Sequence, residues 1–393
     1  MPDDTLEPIP AEENPWYQLA FMDQSGFRWN SYIYHLSNSD GIRIARSEVE
    51  LKCGHTIRLS SNSDRQKEIK EEESNLPITL KRGIEFKNLE FSERAKFEGL
   101  YFGGITIFHE CKFKVPVKFE NCYFSNKVLF SQCHFEERIE IIGNDFMHEA
   151  TFFDGTFGRD FYLRRTYFSR TVNFGKTKFL AEADFSDTLD SVPSDGSFSF
   201  KETKFSSVPM FFNRKLHEDT DWTDVKWPKR VEYDGQAAEF FRRYDFLARI
   251  MAEHQRYDDE HMFFRYAMKW KAKRDKTGAA RVFGWLYGIC FYYGWSIDRA
   301  IFWWLVNFCV GAFAIVCFDE GSPDHEIGVP TNFAISFSNS MPFLGLNRGP
   351  LKDAYKTAEN FPYFDLLWGT QAVLGTILLF FLLLTIRNRF RLR

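Results

Sequence analysis

Large apolar residues return through the middle of this chain at alternating intervals of five and six. Phe86, Phe91, Phe97, Phe102, Phe108, Phe113, Phe119, Phe124, Phe130 and Phe135 set the interval. Ile141, Phe146, Phe152, Phe157, Leu163, Phe168, Phe174, Phe179 and Phe185 continue it. The beat pauses at an insertion around Ser191-Val192-Pro193-Ser194 and resumes at Phe200, Phe205 and Phe211. A helix repeats every ~3.6 residues and a strand every ~2, so neither explains this period. A fixed five-plus-six unit predicts a solenoid, in which each unit covers only its neighbours.

Two residues before most of these phenylalanines stands a small or β-branched residue: Ala95, Thr106, Cys111, Val117, Cys122, Val128, Cys133, Ala150, Thr166, Val172, Thr177, Ala183. Polar residues and Gly fill the gaps, as outward and corner positions require. Stretches such as Val172-Asn173-Phe174-Gly175-Lys176-Thr177-Lys178-Phe179 resemble the pentapeptide-repeat family in its tandem A-x-F-x-x-A/T-x-F variant. The resemblance covers residues 78–212 and implies a right-handed, four-sided β-helix whose faces are each one short repeat. Solenoids are scaffolds, so the fold alone implies no activity.

Cys111, Cys122 and Cys133 lie 11 apart, with His109 and His134 close by. All three occupy the small inward slot, where a free thiol behaves as a compact hydrophobe. Zinc sites favour closer pairs, so no metal or cofactor is expected here. Residues 1–77 hold an aromatic-rich stretch and a β-like run from Ile42 to Leu59, followed by the charged run Asp64 to Glu73. This part is expected to cap the open N-terminal end of the coil, where strand edges would otherwise be unpaired. The acidic opening segment predicts no cleaved export signal.

Beyond Phe212 the period changes to three and four. Gln236 to Arg274 predicts two amphipathic helices joined near Arg256–Asp259, within a connector over 213–280. A membrane module is expected over 281–393. Ala300 to Phe318 is uncharged throughout, long enough to cross about 30 Å of hydrocarbon, and residues 364–386 form a second such run with a single Asp365 near its start and Gln371 within it. The shorter apolar stretch 283–295 reads as an interfacial helix. Lys269, Lys271, Lys273, Arg274, Lys276, Arg281 and Arg299 precede the first span, and four arginines follow the second. Only Arg348, Lys352 and Lys356 lie between. The positive-inside rule therefore places both termini, and the solenoid, in the cytoplasm.

Between the spans, residues 331–346 carry a semi-apolar helical stretch stopped by Pro342 and a Gly-containing turn. Span, short helix, turn and span resemble the plan of two-span cation channels, and Tyr292-Tyr293-Gly294-Trp295-Ser296-Ile297-Asp298-Arg299 resembles the lead-in to such modules. That resemblance implies a re-entrant helix aimed at a pore. Ser336, Asn339 and Ser340 share one helical face and, with Pro342, are the candidate pore lining. Ser340-Met341-Pro342-Phe343-Leu344-Gly345 stands where a potassium filter would read T-V-G-Y-G, so potassium selectivity is not implied.

The composition excludes other classes. Formal net charge is −4, and residues 81–212 carry 19 acidic and 18 basic side chains. A near-neutral rod is a poor mimic of duplex DNA, and no nucleic-acid partner is expected. No phosphate-binding loop, zinc-protease helix or nucleophile elbow occurs, so the chain is not expected to be an enzyme. Two functions remain. One is a bacterial plasma-membrane pore, channel-like or permeabilising, whose cytoplasmic solenoid senses or assembles. It would be a homo-oligomer in contact with lipid, a tetramer by analogy with two-span modules, and its layout is similar to that of bacterial anti-phage effectors. The other is a non-conducting, membrane-tethered scaffold whose solenoid binds a cytoplasmic protein.

Overall fold

A computed structural model of the chain describes residues 8–21, 29–30, 33, 48–58, 84–187, 195–233, 235–274, 278–294, 296–320, 328–346, 349, 351–358 and 364–390. The charged run 64–73 and the insertion at 191–194 lie outside the described residues. Two compact units divide the chain, Met1–Phe263 and Phe264–Arg393.

The first unit is built on a parallel β-solenoid of about five turns. Strands of two to four residues visit four parallel sheets in rotation. Each circuit of the four sheets is one coil, so Phe97 pairs with Phe119 and Phe119 with Ile141. Rings in register stack face to face. Phe97 and Phe119 lie 4.7 Å apart at 4°, Phe113 and Phe135 4.6 Å at 4°, and Phe124 and Phe146 4.5 Å at 4°. Columns from neighbouring sheets meet edge to face, as Phe108 meets Phe119 at 84°. Stacked and perpendicular contacts together fill the interior, so every expected core phenylalanine from Phe86 to Phe185 is buried.

The small slot has a second role. Cys111, Cys122 and Cys133 each donate through Sγ to the carbonyl of a phenylalanine 25 residues earlier, at 3.1, 3.4 and 3.3 Å. Thr166 and Asn144 donate a hydroxyl and an amide to the carbonyls of Ile141 and Phe119, also 25 residues earlier, and Thr203, beyond the insertion, reaches the Phe174 carbonyl 29 residues earlier. The slot takes a residue small enough to fit beside the rings and suited to stitching one coil to the next. Burial pushes the Cys122 thiol up to about 12, which keeps it a protonated donor. Corners recur twice in every coil. Asn88, Glu110, Asn121, Gln132, Asp154, Arg165 and Lys176 all take left-handed φ, with Gly99 and Gly143 at the same phase.

The insertion lengthens one coil and carries three of the four columns across, while the column ending at Phe168 meets Phe198 edge-on. Phe174 stacks on Phe200 and Phe179 on Phe205, across the lengthened coil. The coil then continues past residue 212, where the phenylalanine count stops. Leu216 is buried, Trp222 stacks on Phe200 at 4.9 Å and Trp227 on Phe205 at 5.7 Å. Residues 211, 216, 222 and 227 keep the beat with Leu and Trp in place of Phe. Helix Gln236–Glu253 closes this end, with Tyr244 against Trp227. Its Arg243 donates to the Val208 carbonyl at 2.7 Å and pairs with Glu182 at 3.0 Å.

At the other end, Ile9–Pro10 extends a sheet by pairing with Leu89 and Glu90. Helix Pro15–Phe21, which we label α1, and Trp29 lay Tyr17, Phe21 and Trp29 over Phe91, Phe97 and Phe102, the end rings of the first coil. A hairpin, Glu48–Glu50 with Thr56–Arg58, reaches the solenoid flank at its turn. There Lys52 N–H donates to Asp145 Oδ2 at 2.8 Å and Cys53 Sγ to the Gly143 carbonyl at 3.2 Å. Tyr101, Tyr123 and Tyr167 hold the equivalent positions in other coils. Asp145 is buried, its Oδ1 finds no partner among the described residues, and burial pushes its carboxyl up to about 6.

We label the remaining helices α2 (Gln236–Glu253), α3 (Tyr257–Arg274), α4 (Gly278–Phe291), α5 (Ile297–Glu320), α6 (Val329–Ser340), α7 (Lys352–Ala358) and α8 (Phe364–Phe390). The second unit runs from Phe264 in α3 through α8. α4 starts before the expected 283 and ends at Phe291, because Tyr292, Tyr293 and Gly294 all turn to positive φ. Ile297–Cys317 and Phe364–Arg387 are the two helical segments long and apolar enough to cross a membrane among the described residues.

Two tests bear on the first unit. Phe119→Ala should cost about 3–5 kcal/mol, because the stack between Phe97 and Ile141 becomes a cavity. Faster hydrogen exchange at the amides of both flanking coils is the expected readout, and unchanged exchange contradicts the register. For Asp145, a raised folded pKa means that the folded state holds the extra proton between about 4 and about 6. Stability should therefore fall as pH rises through that window. Melting temperatures of the wild type and Asp145→Asn, compared across it, should diverge in slope, with the variant flatter.

Candidate functional site

The second unit distributes its residues inside out. Large apolar side chains face outward, with Phe313 71% and Leu366 67% exposed, while Asn332, Ser336, Asn339, Ser340 and Gln371 are buried. A buried amide or hydroxyl has to be hydrogen-bonded or it destabilises the fold. The geometry of α5, α6 and α8 follows from meeting that requirement.

Gln371 on α8 is the hub. Its Nε2 donates to Ser336 Oγ at 2.6 Å and to Ser340 Oγ at 3.2 Å, and lies 3.3 Å from the carbonyls of Asn307 and Ser336. Its Oε1 accepts from Asn339 Nδ2 at 3.2 Å. Tyr355 of α7 donates its hydroxyl to Asn339 Oδ1 and lies 3.3 Å from the Ile335 carbonyl. Ser336 Oγ donates to the Phe308 carbonyl at 2.7 Å, and Asn307 Nδ2 reaches Ser340 Oγ at 3.4 Å. The seam thus joins α5, α6, α7 and α8 through side chains that would otherwise be orphaned.

Two glycines make room for it. A Cβ on Gly311 would stand 2.0 Å from Gln371 Nε2, and one on Gly375 would stand 2.5 Å from the Ser340 carbonyl oxygen. The end of α6 therefore abuts the backbone of α8. After Ser340 the chain makes a short turn, Pro342–Leu344, with Phe343 70% exposed and Gly345 at φ 62°.

Of the expected pore-lining residues, Ser336, Asn339 and Ser340 do share a face, as their spacing requires. That face turns into the chain's own α5 and α8, and their polar groups are occupied there. Pro342 alone of the four is exposed, on the turn. Phe333 and Phe337 touch Phe308 edge-on and remain substantially exposed. Gln371, Asn307 and Tyr355 carry the seam without standing out as site residues in the sequence. A lone amide inside a long apolar run was the available signal, since such a group must find a partner. No protein-family model, curated protein or solved structure matches the chain.

Substitutions in the seam should separate its parts. Gly375→Ala should destabilise the second unit by about 1–3 kcal/mol, because backbone must move to admit the methyl group. Gln371→Leu should cost a similar amount, roughly 1–3 kcal/mol, by leaving the Asn339 Nδ2 without its acceptor. Gly369→Ala, where an added Cβ meets nothing within 4 Å, is the control. Thermal unfolding of the full-length protein in detergent measures all three, and equal melting for Gly375→Ala and Gly369→Ala would contradict the close approach.

Proposed function

We propose that this chain is an integral membrane protein whose second unit is a two-span pore module. In this reading α5 and α8 cross the bilayer, α6 is re-entrant, and several copies, four by analogy, surround an axis. The solenoid is the cytoplasmic sensor or assembly surface, of the right-handed, four-sided kind that pentapeptide repeats form. An experimental structure with a left-handed coil would separate it from that family.

The observation that carries the reading is where α6 stops. Ser340, its last residue, meets Asn307 and Gly375, each near the middle of its own long helix. At 1.5 Å per residue Gly375 stands about 17 Å along α8, roughly half of a 30 Å hydrocarbon core. A helix ending there must end in protein or water, because lipid satisfies no carbonyl. Its negative dipole end then points towards the centre, as cation conduction needs. With the Ser and Asn side chains occupied internally, the pore lining passes to Pro342 and the backbone of 341–345. The absence of T-V-G-Y-G there argues for a weakly selective path.

One observation favours a second reading, the non-conducting scaffold. Ser336, Asn339 and Ser340 find their partners within one chain, so a packed hairpin accounts for them without a water path. Planar-bilayer recordings of the purified protein, with light scattering in detergent, decide between them. Unitary conductance from an oligomer is expected, and a silent monomer would establish the scaffold. For orientation, a cysteine introduced at Asp324 should react with an impermeant label on intact bacterial cells, and one introduced at Arg393 should not. The reverse pattern would invert the topology.

A further inference from the structure

The turn between α4 and α5 sets two arginines on one tyrosine. Tyr292, Tyr293 and Gly294 take φ of 50°, 57° and 82°, so the chain reverses within this short turn. The reversal brings Arg299, in the first turn of α5, back over the end of α4, where its Nη1 donates to the Ile289 carbonyl at 3.4 Å. The Arg299 guanidinium carbon then lies 4.6 Å from the Tyr292 ring centroid. That of Arg265, from α3, lies 4.4 Å from the same centroid.

These two distances leave the guanidinium carbons no more than about 9 Å apart, a range over which like charges still repel unless an anion or water screens them. Among the described residues neither guanidinium forms an ion pair, although acidic partners are common elsewhere in the chain. Each guanidinium has five N–H donors, and Arg299 commits one of them to protein. Both cations lie within cation–π range of Tyr292, and Arg265 lies 5.5 Å from the Tyr266 centroid as well. A planar donor fork matches the oxygens of a phosphate, which it can grip with two hydrogen bonds. Arg299 also stands at the start of the apolar segment that begins at Ile297. Lys271, Lys273 and Arg274 add positive charge at the end of α3.

We infer that Arg265, Tyr292 and Arg299 form a binding site for the phosphate of an anionic phospholipid headgroup. The inference rests on the membrane reading above, which puts the start of α5 at the headgroup level, where anionic lipid is concentrated and aromatic residues are favoured. The tyrosine orients the two cations, and the cations supply the specificity for negative charge. Zwitterionic lipid carries its own ammonium and should compete poorly.

The test uses the full-length protein in nanodiscs of mixed phosphatidylglycerol and phosphatidylcholine, with retained lipid counted by native mass spectrometry. The wild type should retain phosphatidylglycerol preferentially. Arg265→Gln with Arg299→Gln should lower that preference about 25-fold, and the exposed Arg299→Gln alone roughly fivefold. Tyr292→Phe, which keeps the ring, should behave as wild type. Unchanged preference in folded Arg299→Gln, judged by helical circular dichroism, overturns the site. So does displacement of the lipid by millimolar inorganic phosphate, which would make it a site for a soluble anion. Release of the protein from bacterial membranes by alkaline carbonate would refute the membrane reading itself, whereas an integral protein with no lipid preference refutes only the site.

Discussion

The backbone carbonyls of the solenoid's buried phenylalanines are kept from water, and a carbonyl there needs a donor. Strand pairing supplies many, and the small slot supplies others through the Cys, Thr and Asn side chains that reach back 25 residues. That single need explains why the slot admits thiol, hydroxyl and amide as readily as methyl, and why three cysteines recur at one phase without any chemistry of their own. The same need governs the second unit, whose outward surface is apolar. There Gln371 gathers the donors and acceptors that apolar surroundings would leave unmatched, and three helices take their relative positions from it.

Stacked rings and stitched carbonyls make the solenoid tolerant of insertion but not of a change of phase. The insertion before Phe198 lengthens one coil, and three columns resume because Phe200, Phe205 and Phe211 fall back over Phe174, Phe179 and Phe185. Each end then has a face of rings to cover. At one end Tyr17, Phe21 and Trp29 lie across it. At the other, Trp222 and Trp227 enlarge the last rings before Tyr244 and Phe263 meet them edge-on. Tryptophan suits that place because the coil no longer has to fit a further ring above it.

Much of the solenoid was legible because its code is a distance between like residues, which survives in one dimension. Where the identity of the beat changed from Phe to Leu216, Trp222 and Trp227, the count of phenylalanines ended too early, although the spacing itself went on. The docking of Lys52 and Cys53 at Asp145 and Gly143 was not legible, since the contact joins distant parts of the chain with no periodicity to announce it. In the second unit, length and apolarity marked the two long helices. The face shared by Ser336, Asn339 and Ser340 followed from helical spacing, but which neighbour that face meets depends on Gln371, and a helical wheel for α6 contains nothing of α8.

That last dependence bears on how a pore could open. If α6 ends at mid-membrane as proposed, its position is set from outside the pore, by a glutamine and two glycines on the flanking spans. Gly375 permits contact between the Ser340 carbonyl and the α8 backbone, so a small sliding of α8 would move the turn 341–345 directly. The hydrogen bonds of Gln371 resist such sliding until several break together, and a seam of this kind has two states rather than a continuum. A signal arriving from the cytoplasmic side would need only to bias α8. The side chains that were expected to face the ion are, on this view, the latch that holds the path in one of its two positions.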